Sequence, residues 1–477
     1  MSAKSLKHAI ETKQKALEIN LDEQVYGSFA EIGAGQEVAR HFFRAGAAAG
    51  TIAKTMSAYD KKYSDEIYGA EPNGRYVCES RLRKMLQHEY DLLEQRLRAD
   101  RPNTLFFAFA DTISAINYRK TNKGHGWIGL RFQLNPADKP NDLILHVKMH
   151  DNDNSLQQQA VGILGVNLIY ACFRYADNID LLVQSLIDSL RDRIDIDMLR
   201  VQGPHFSRID NRLLCLKMVR YGLSNVTMFN ADGLPIHASE TLYKQSLLVV
   251  RGSFRPMTLV NVDMIKTASE QFKNEPDVDA ERITTVAEIT LDNLALDGEI
   301  DEQDFLDRAT LLCAQRQIVL VTNCEKHQKL IDYFADYRIT KLGLVIGVRV
   351  LLDLINETYY QNVDGSLLLA FGALFNRHVK MYVYPVHQEG SGELMNCQNL
   401  PIPEGIKFLY RHLQDAKHIE DLRNFNPDLL HIYSKEVLKL LRSDDDGWDR
   451  MVPKAIAQII REQCLFNFPC QRLEFEY

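Results

Sequence analysis

The sequence predicts an α/β protein: a doubly wound parallel sheet, preceded by an α+β region and followed by a helical C-terminal segment. Between Leu247 and Tyr384, short apolar runs alternate with segments of helical spacing. That is the pattern of parallel strands buried under helices on both faces. Before that span, strand-like runs follow one another directly. From Glu404 onward the pattern is helical. A (β/α) barrel spanning more of the chain is the competing architecture. The expected divisions are residues 1–238, 239–400 and 401–477.

The elements follow in order. Ser80 to Arg98 places Leu82, Leu86, Tyr90, Leu93 and Leu97 on one helical stripe, and Pro102 closes it. Thr104 to Ala110, Gly126 to Leu134 and Leu143 to Met149 are aromatic or β-branched runs between turn residues, and read as strands. Leu181 to Asp192 returns to helical spacing. In the parallel region the expected strands are Leu247 to Val250, Ile283 to Ile289, Ile318 to Thr322, Leu342 to Val348 and Met381 to Tyr384. The expected helices are Asn261 to Phe272, Asp304 to Ala314, Glu325 to Tyr337 and Val350 to Tyr359. The tail from Leu465 carries Phe466, Phe468, Phe475 and Tyr477, which predicts docking on its own chain or on a second copy in a homo-oligomer.

The 477 residues carry 56 basic and 64 acidic side chains, a net charge of −8. This mildly acidic balance argues against a nucleic-acid partner, which requires a basic face. The first residues, through Gln24, are polar and charged with no signal-peptide core, and the longest apolar run, Ala160 to Phe173, is too short to cross a bilayer. No membrane association is therefore expected. The eight cysteines are scattered without a CxxC pair, so reduced thiols and a cytoplasmic location are the expectation.

Four segments carry candidate chemistry. In Leu247 to Phe272, a buried strand runs into Gly252-Ser253-Phe254-Arg255-Pro256 and a helix opens near Thr258. Such a corner suits an oxyanion: Gly252 permits close backbone approach, free amides face the ligand, and Arg251 and Arg255 add charged donors. In Glu31 to Asp60, Gly33-Ala34-Gly35 is a possible phosphate turn. Val38 stands where a dinucleotide fingerprint needs a third glycine, and Tyr26 to Ala30 is a short, mixed lead-in. The small residues Ala45, Gly46, Ala49, Gly50 and Ala53 read as close helix packing. The third segment is an apolar strand ending at Asp111 before a polar loop with His125, a group that exchanges protons near neutral pH. Finally, His146 and His150 lie near Asp151 and Asp153, a set read as a solvated turn rather than a metal site.

Gly252, Ser253, Phe254, Pro256, Met257 and Thr258 resemble, in type and spacing, the opening motif of the nucleotidylyltransferase family. The resemblance spans about 26 residues and implies ATP or a related nucleotide as ligand. In the implied adenylyl transfer, a substrate phosphate attacks the nucleotide's α-phosphate while Thr258 and Asn261 donate to it. Arg255 replaces that family's acid, Val260 its glycine and Asn261 its second histidine. The whole chain, including Glu31 to Asp60 and Glu462 to Phe466, is similar to a bacterial family labelled TonB-dependent receptor or nicotinate-nucleotide adenylyltransferase. A receptor barrel would require many strands of about ten alternating residues, which the sequence does not contain. The expected function is binding of a nucleotide or another phosphorylated small molecule, with a non-catalytic homo-oligomeric assembly as the alternative.

Overall fold

The computed structural model describes residues 10–72, 74–296, 298–356, 371–372, 374–375, 379–388 and 392–470. The chain forms an α/β protein divided into two compact units, Met1–Asn225 and Val226–Tyr477.

The first unit is a six-stranded sheet in the order β2-β1-β3-β4-β5-β6. The strands are β1 (Val25–Ile32), β2 (Ile52–Ser57), β3 (Leu105–Ser114), β4 (Gly124–Phe132), β5 (Asn141–Met149) and β6 (Ile194–Gln202). β1 runs parallel to both β2 and β3, and β3 to β6 pair antiparallel. Helices α1 (Thr12–Asn20), α2 (Gln36–Ala45) and α5 (Asn154–Arg174) cover one face, burying Phe29, Phe107, Phe109 and Phe132. The other face packs Tyr68 of α3 (Lys61–Tyr68) and Leu82, Met85 and Leu86 of α4 (Glu79–Leu97) against Trp127 and Ile144.

The α5 helix is long and apolar enough to span a bilayer, but it serves as the unit's core helix and is mostly buried within it. α2 crosses it closely. A Cβ on Gly165 would lie 2.5 Å from a Val38 methyl, and one on Gly162 2.7 Å from Glu37. Close helix packing at α2 is thus supplied by α5's glycines. Gly46 and Gly50, read from the sequence as packing residues, meet nothing there, because the chain after α2 turns into the edge strand β2.

The second unit is a seven-stranded sheet. Its strands are β7 (Val226–Phe229), β8 (Ser246–Arg251), β9 (Ile283–Thr290), β10 (Ile318–Thr322), β11 (Lys341–Gly347), β12 (Val379–Tyr384) and β13 (Ile419–Asp421). In space they run β13-β12-β11-β8-β9-β10-β7, every neighbouring pair parallel except β10 with β7. From β8 the chain steps outward through β9 and β10, then returns to β11 on β8's other side. This is the doubly wound arrangement, with its topological switch point between β8 and β11.

β7 joins this sheet as an antiparallel edge, which places the division at Asn225/Val226, ahead of residue 238. The helices Leu259–Lys273, Glu302–Ala314 and His327–Phe334 form where helical spacing predicts them, and Val348–Leu354 forms the described part of the next. Residues 357–360 of that expected helix lie outside the described residues. Within the helical C-terminal stretch, Ile419–Asp421 adds a strand to the sheet, beside β12.

Leu465 and Phe466 are buried, and the Phe466 amide donates to Asp307 Oδ2 at 2.6 Å. Phe468 packs against Trp448. This part of the tail docks on its own unit; Phe475 and Tyr477 lie outside the described residues. The expectation of reduced thiols is corrected at Cys464 and Cys470, which form a disulfide. Left-handed backbone at Cys464, Phe466 and Asn467 folds the chain back there, bringing the two Cα atoms to 5.7 Å.

A Gly165→Ala substitution should lower stability by about 1–3 kcal/mol through overpacking. Val38→Ala in the same chain should recover part of that loss, as read from a double-mutant cycle in chemical denaturation.

Candidate functional site

The Gly252 to Asn261 corner forms as the sequence predicts, at the carboxyl end of β8 and beside the switch point. Its polar groups are engaged within the protein. Glu288 on β9 is fully buried, and Arg251 grips it with Nε at 2.8 Å and Nη2 at 2.9 Å. Arg251 also donates to the carbonyls of Cys324 and Glu325, both at 2.9 Å. Thr322 adds a third donor to Glu288, at 2.8 Å. Arg255 Nε meets Asp304 Oδ1 at 2.5 Å.

The other Asp304 oxygen binds the buried Arg308, which donates to the Ser253 carbonyl as well. Thr258 is buried and forms a capping box with Asn261: its amide donates to Asn261 Oδ1 at 2.9 Å. The Leu259 amide donates to the Met451 carbonyl. The helix-start donors assigned to an anion thus close the corner on itself. Ser253 remains exposed, and across the switch point a Cβ on Gly347 would meet nothing within 4 Å.

Next to this cluster, His327 is buried at the start of its helix with neither ring nitrogen hydrogen-bonded. Burial, followed by the Arg251 charge, pushes its pKa down to about 3. A cavity of about 600 Å³ lies at the opposite, amino ends of the strands, walled by Lys341, Lys380, Arg423, Glu270, Glu275 and Glu420. Lys380 is nearly buried there and pairs with both Glu275 and Glu420, so that wall's charge is internally balanced.

The first unit presents a different arrangement at the carboxyl ends of its parallel strands. A strand does precede Gly33: β1 is almost wholly buried, and its interruption by Gly27, Ser28 and Glu31 hides it in the sequence. Glu31 and Asp111 are register partners on β1 and β3, pointing to the face that carries Phe29 and Phe109. Both are buried. Neither Asp111 oxygen is hydrogen-bonded, nor is Glu31 Oε1, while Glu31 Oε2 accepts from Ser57 at 2.9 Å.

Burial pushes the Glu31 pKa up to about 7, against the opposing Ser57 hydrogen bond. Asp111 is raised well above the usual carboxylate range by burial and then by Glu31, against the opposing pull of the nearby Ile32 amide. The turn after β1 fits around them. A Cβ on Gly35 would fall 1.7 Å from Asp111 Oδ2, and Gly33 adopts φ +101° against the Ile113 carbonyl. Gln36 and the exposed Tyr59 both donate to the Gly33 carbonyl. α2 and the helices following β2 leave on opposite faces of the sheet, so a switch point falls between β1 and β2, beside Glu31 and Ser57.

Asp111 and His125 do not come together, because they sit on opposite faces of the sheet. His125 is half-buried on β4 and its Nδ1 lies 3.3 Å from His146 Nε2 on β5. His146 is buried and its Nδ1 bonds Asp197 Oδ1 at 2.6 Å. In the rest of that segment, half-exposed His150 pairs with Asp195, Asp151 with Arg193, and Asp153 caps α5.

No family model and no curated protein matches the chain. Among solved structures it is similar to a competence/damage-inducible protein CihA from Agrobacterium tumefaciens, at 16% identity over 34% of this chain and 94% of that one, with a TM-score of 0.25. A CinA superfamily protein from Enterobacter cloacae gives 14% identity, 36% and 95% coverage and a TM-score of 0.25. At that TM-score the likeness carries no argument for fold or activity.

Two buried groups predict opposite pH behaviour. Glu31 holds its proton longer in the folded chain than in the unfolded one, so its contribution is full at low pH and lost as pH rises through about 7. Between pH 5 and 8 the wild type should lose about 2–3 kcal/mol that Glu31→Gln does not lose. His327 stays neutral when folded, so its contribution is present above about 6.5 and is lost as pH falls toward about 3. Lowering pH from 7 to 5 should remove roughly 2 kcal/mol from the wild type and spare His327→Phe. Urea unfolding across pH measures both.

Proposed function

We propose that the first unit is an enzyme site in which Glu31 exchanges a proton with a small-molecule ligand at the carboxyl ends of β1 and β2. One observation carries this reading: two buried, register-paired carboxyls hold three unbonded oxygens beside a strand-order switch point. A structural pair would be neutralised by a cation or satisfied by donors, as Glu288 is. A carboxyl titrating near 7 can both give and take a proton at neutral pH, the requirement for general acid–base catalysis. Asp111, held neutral, keeps Glu31 from sharing its site with a second negative charge, and Ser57 orients the one bonded oxygen.

A second reading is favoured by the strand order of the second unit. We propose that a nucleotide or another phosphorylated small molecule docks between the carboxyl ends of β8 and β11, against exposed Ser253 and the open Gly347. Thr258 and Asn261 are tied to each other, which supports binding there rather than adenylyl transfer by those two residues. Arg255→Ala is a poor probe of this reading, since it also releases Asp304.

A ligand panel of ATP, NAD, nicotinate mononucleotide and sugar phosphates, followed by thermal shift, tests both readings. Saturation at about 100 times the dissociation constant adds roughly 2.7 kcal/mol. For the first unit, the ligand-induced shift should vary with pH through about 7, and Glu31→Gln should abolish that variation. A shift that Glu31→Gln leaves unchanged at every pH removes the acid–base site. For the second, Gly347→Leu has room to fold yet obstructs the crevice, so it should abolish the shift. Full retention in that variant rejects this docking position.

A further inference from the structure

We propose that His125 Nδ1 and His146 Nε2 are two ligands of a divalent transition-metal site of the zinc class on the first unit's sheet, with Asp197 as the orienting carboxylate behind His146. The site lies on the opposite face of the sheet from Glu31 and Asp111 and is independent of both readings above. Four features of the geometry support it.

The two ring nitrogens stand 3.3 Å apart. Zinc–imidazole bonds of about 2.0–2.1 Å at the tetrahedral angle separate two ligand nitrogens by about 3.3–3.4 Å. A metal at the apex would take both lone pairs and displace the proton that the pair otherwise shares.

His146 is oriented from behind. Its Nδ1 donates to Asp197 Oδ1 at 2.6 Å, which fixes the tautomer with the Nε2 lone pair facing His125. Asp197 Oδ2 is held in turn by Lys148 Nζ at 3.2 Å. The Trp127 ring meets the His146 ring edge-on at 5.1 Å and limits its rotation.

The backbone is shaped to deliver that carboxylate. His146 pairs with Met198 and Val147 with Ile196, so Asp197 is the extra residue of a bulge in β6. Without the bulge, the alternation of the strand would send Asp197 to the face opposite His146. Bulges of this kind re-aim a side chain next to a functional centre.

The burial is graded. His146 and Asp197 are sealed, whereas His125 is half-exposed. With two protein ligands, a metal there would complete its coordination with water or a ligand's donor atoms.

Metal-free full-length protein, titrated with Co2+ and Zn2+ and followed by visible absorption and calorimetry, tests the proposal. One ion per chain with nitrogen-ligand cobalt bands is expected. Asp197→Asn should weaken binding about 10–100-fold. His125→Ala, at a half-exposed position, should abolish binding while leaving the circular dichroism spectrum intact. His150→Ala, which removes the neighbouring exposed histidine, should change nothing. Absence of stoichiometric binding by the wild type, or binding that survives His125→Ala, overturns the site and leaves the three side chains as a hydrogen-bonded file. Loss of binding in His150→Ala alone assigns the ion to the surface and also overturns it.

Discussion

The ion pair of Arg251 with Glu288 ties the carboxyl ends of β8 and β9 beside the second unit's switch point, and the chemistry of that corner follows from it. Glu288 is a carboxylate with no exposure to water, and burying it requires a cation with matched geometry. Arg251 supplies both donors, and its remaining ones close on two carbonyls of the next loop. Arg255 and Arg308 repeat the arrangement around Asp304. A motif whose residues suit an anion has thereby recruited its own anions. In the first unit the carboxyl ends of the parallel strands hold Glu31 and Asp111 with no ion-paired cation among the described residues, and there the desolvation is met by retaining protons instead. One physical penalty has two resolutions, and only the second leaves a group that titrates near neutrality.

Much of the second unit was legible in the sequence because its strands are covered on both faces. Leu247 to Val250 and Ile318 to Thr322 are continuous apolar runs for that reason, and the helices between them keep a clear stripe. The first unit was harder to read. β1 carries Gly27, Ser28 and Glu31 inside a buried strand, so its period breaks where its chemistry lies. β6 reads Ile-Asp-Ile-Asp-Met, an alternation that resembles a half-exposed strand, although Asp197 is buried. Aspartates inside such a run, with no turn residue nearby, were the available signal.

Asp111 and His125 were recognisable as candidate residues, but their relation was not. Adjacent antiparallel strands fix which residues share a face through register, and register depends on turn and bulge positions that the sequence does not announce. Asp111 consequently meets Glu31, 80 positions away in the chain, and His125 meets His146. The Gly252 to Asn261 corner was legible as a strand-turn-helix, while the partners that occupy it, Glu288, Asp304 and Met451, come from segments that local spacing cannot connect to it.

Phe466 lends this corner a dependence on the far end of the chain. Its amide is bound by Asp307, one turn along from Asp304 and beside Arg308 on a shared helix. The closing residues thus act as a buttress: they seat the helix whose neighbouring carboxylate grips Arg255, while Met451 stoppers the amide of Leu259. Synthesis from the ribosome would complete the β8 corner only after its last supports had emerged, so the earliest-made parallel strand of the doubly wound sheet is among the last to acquire its finished shape.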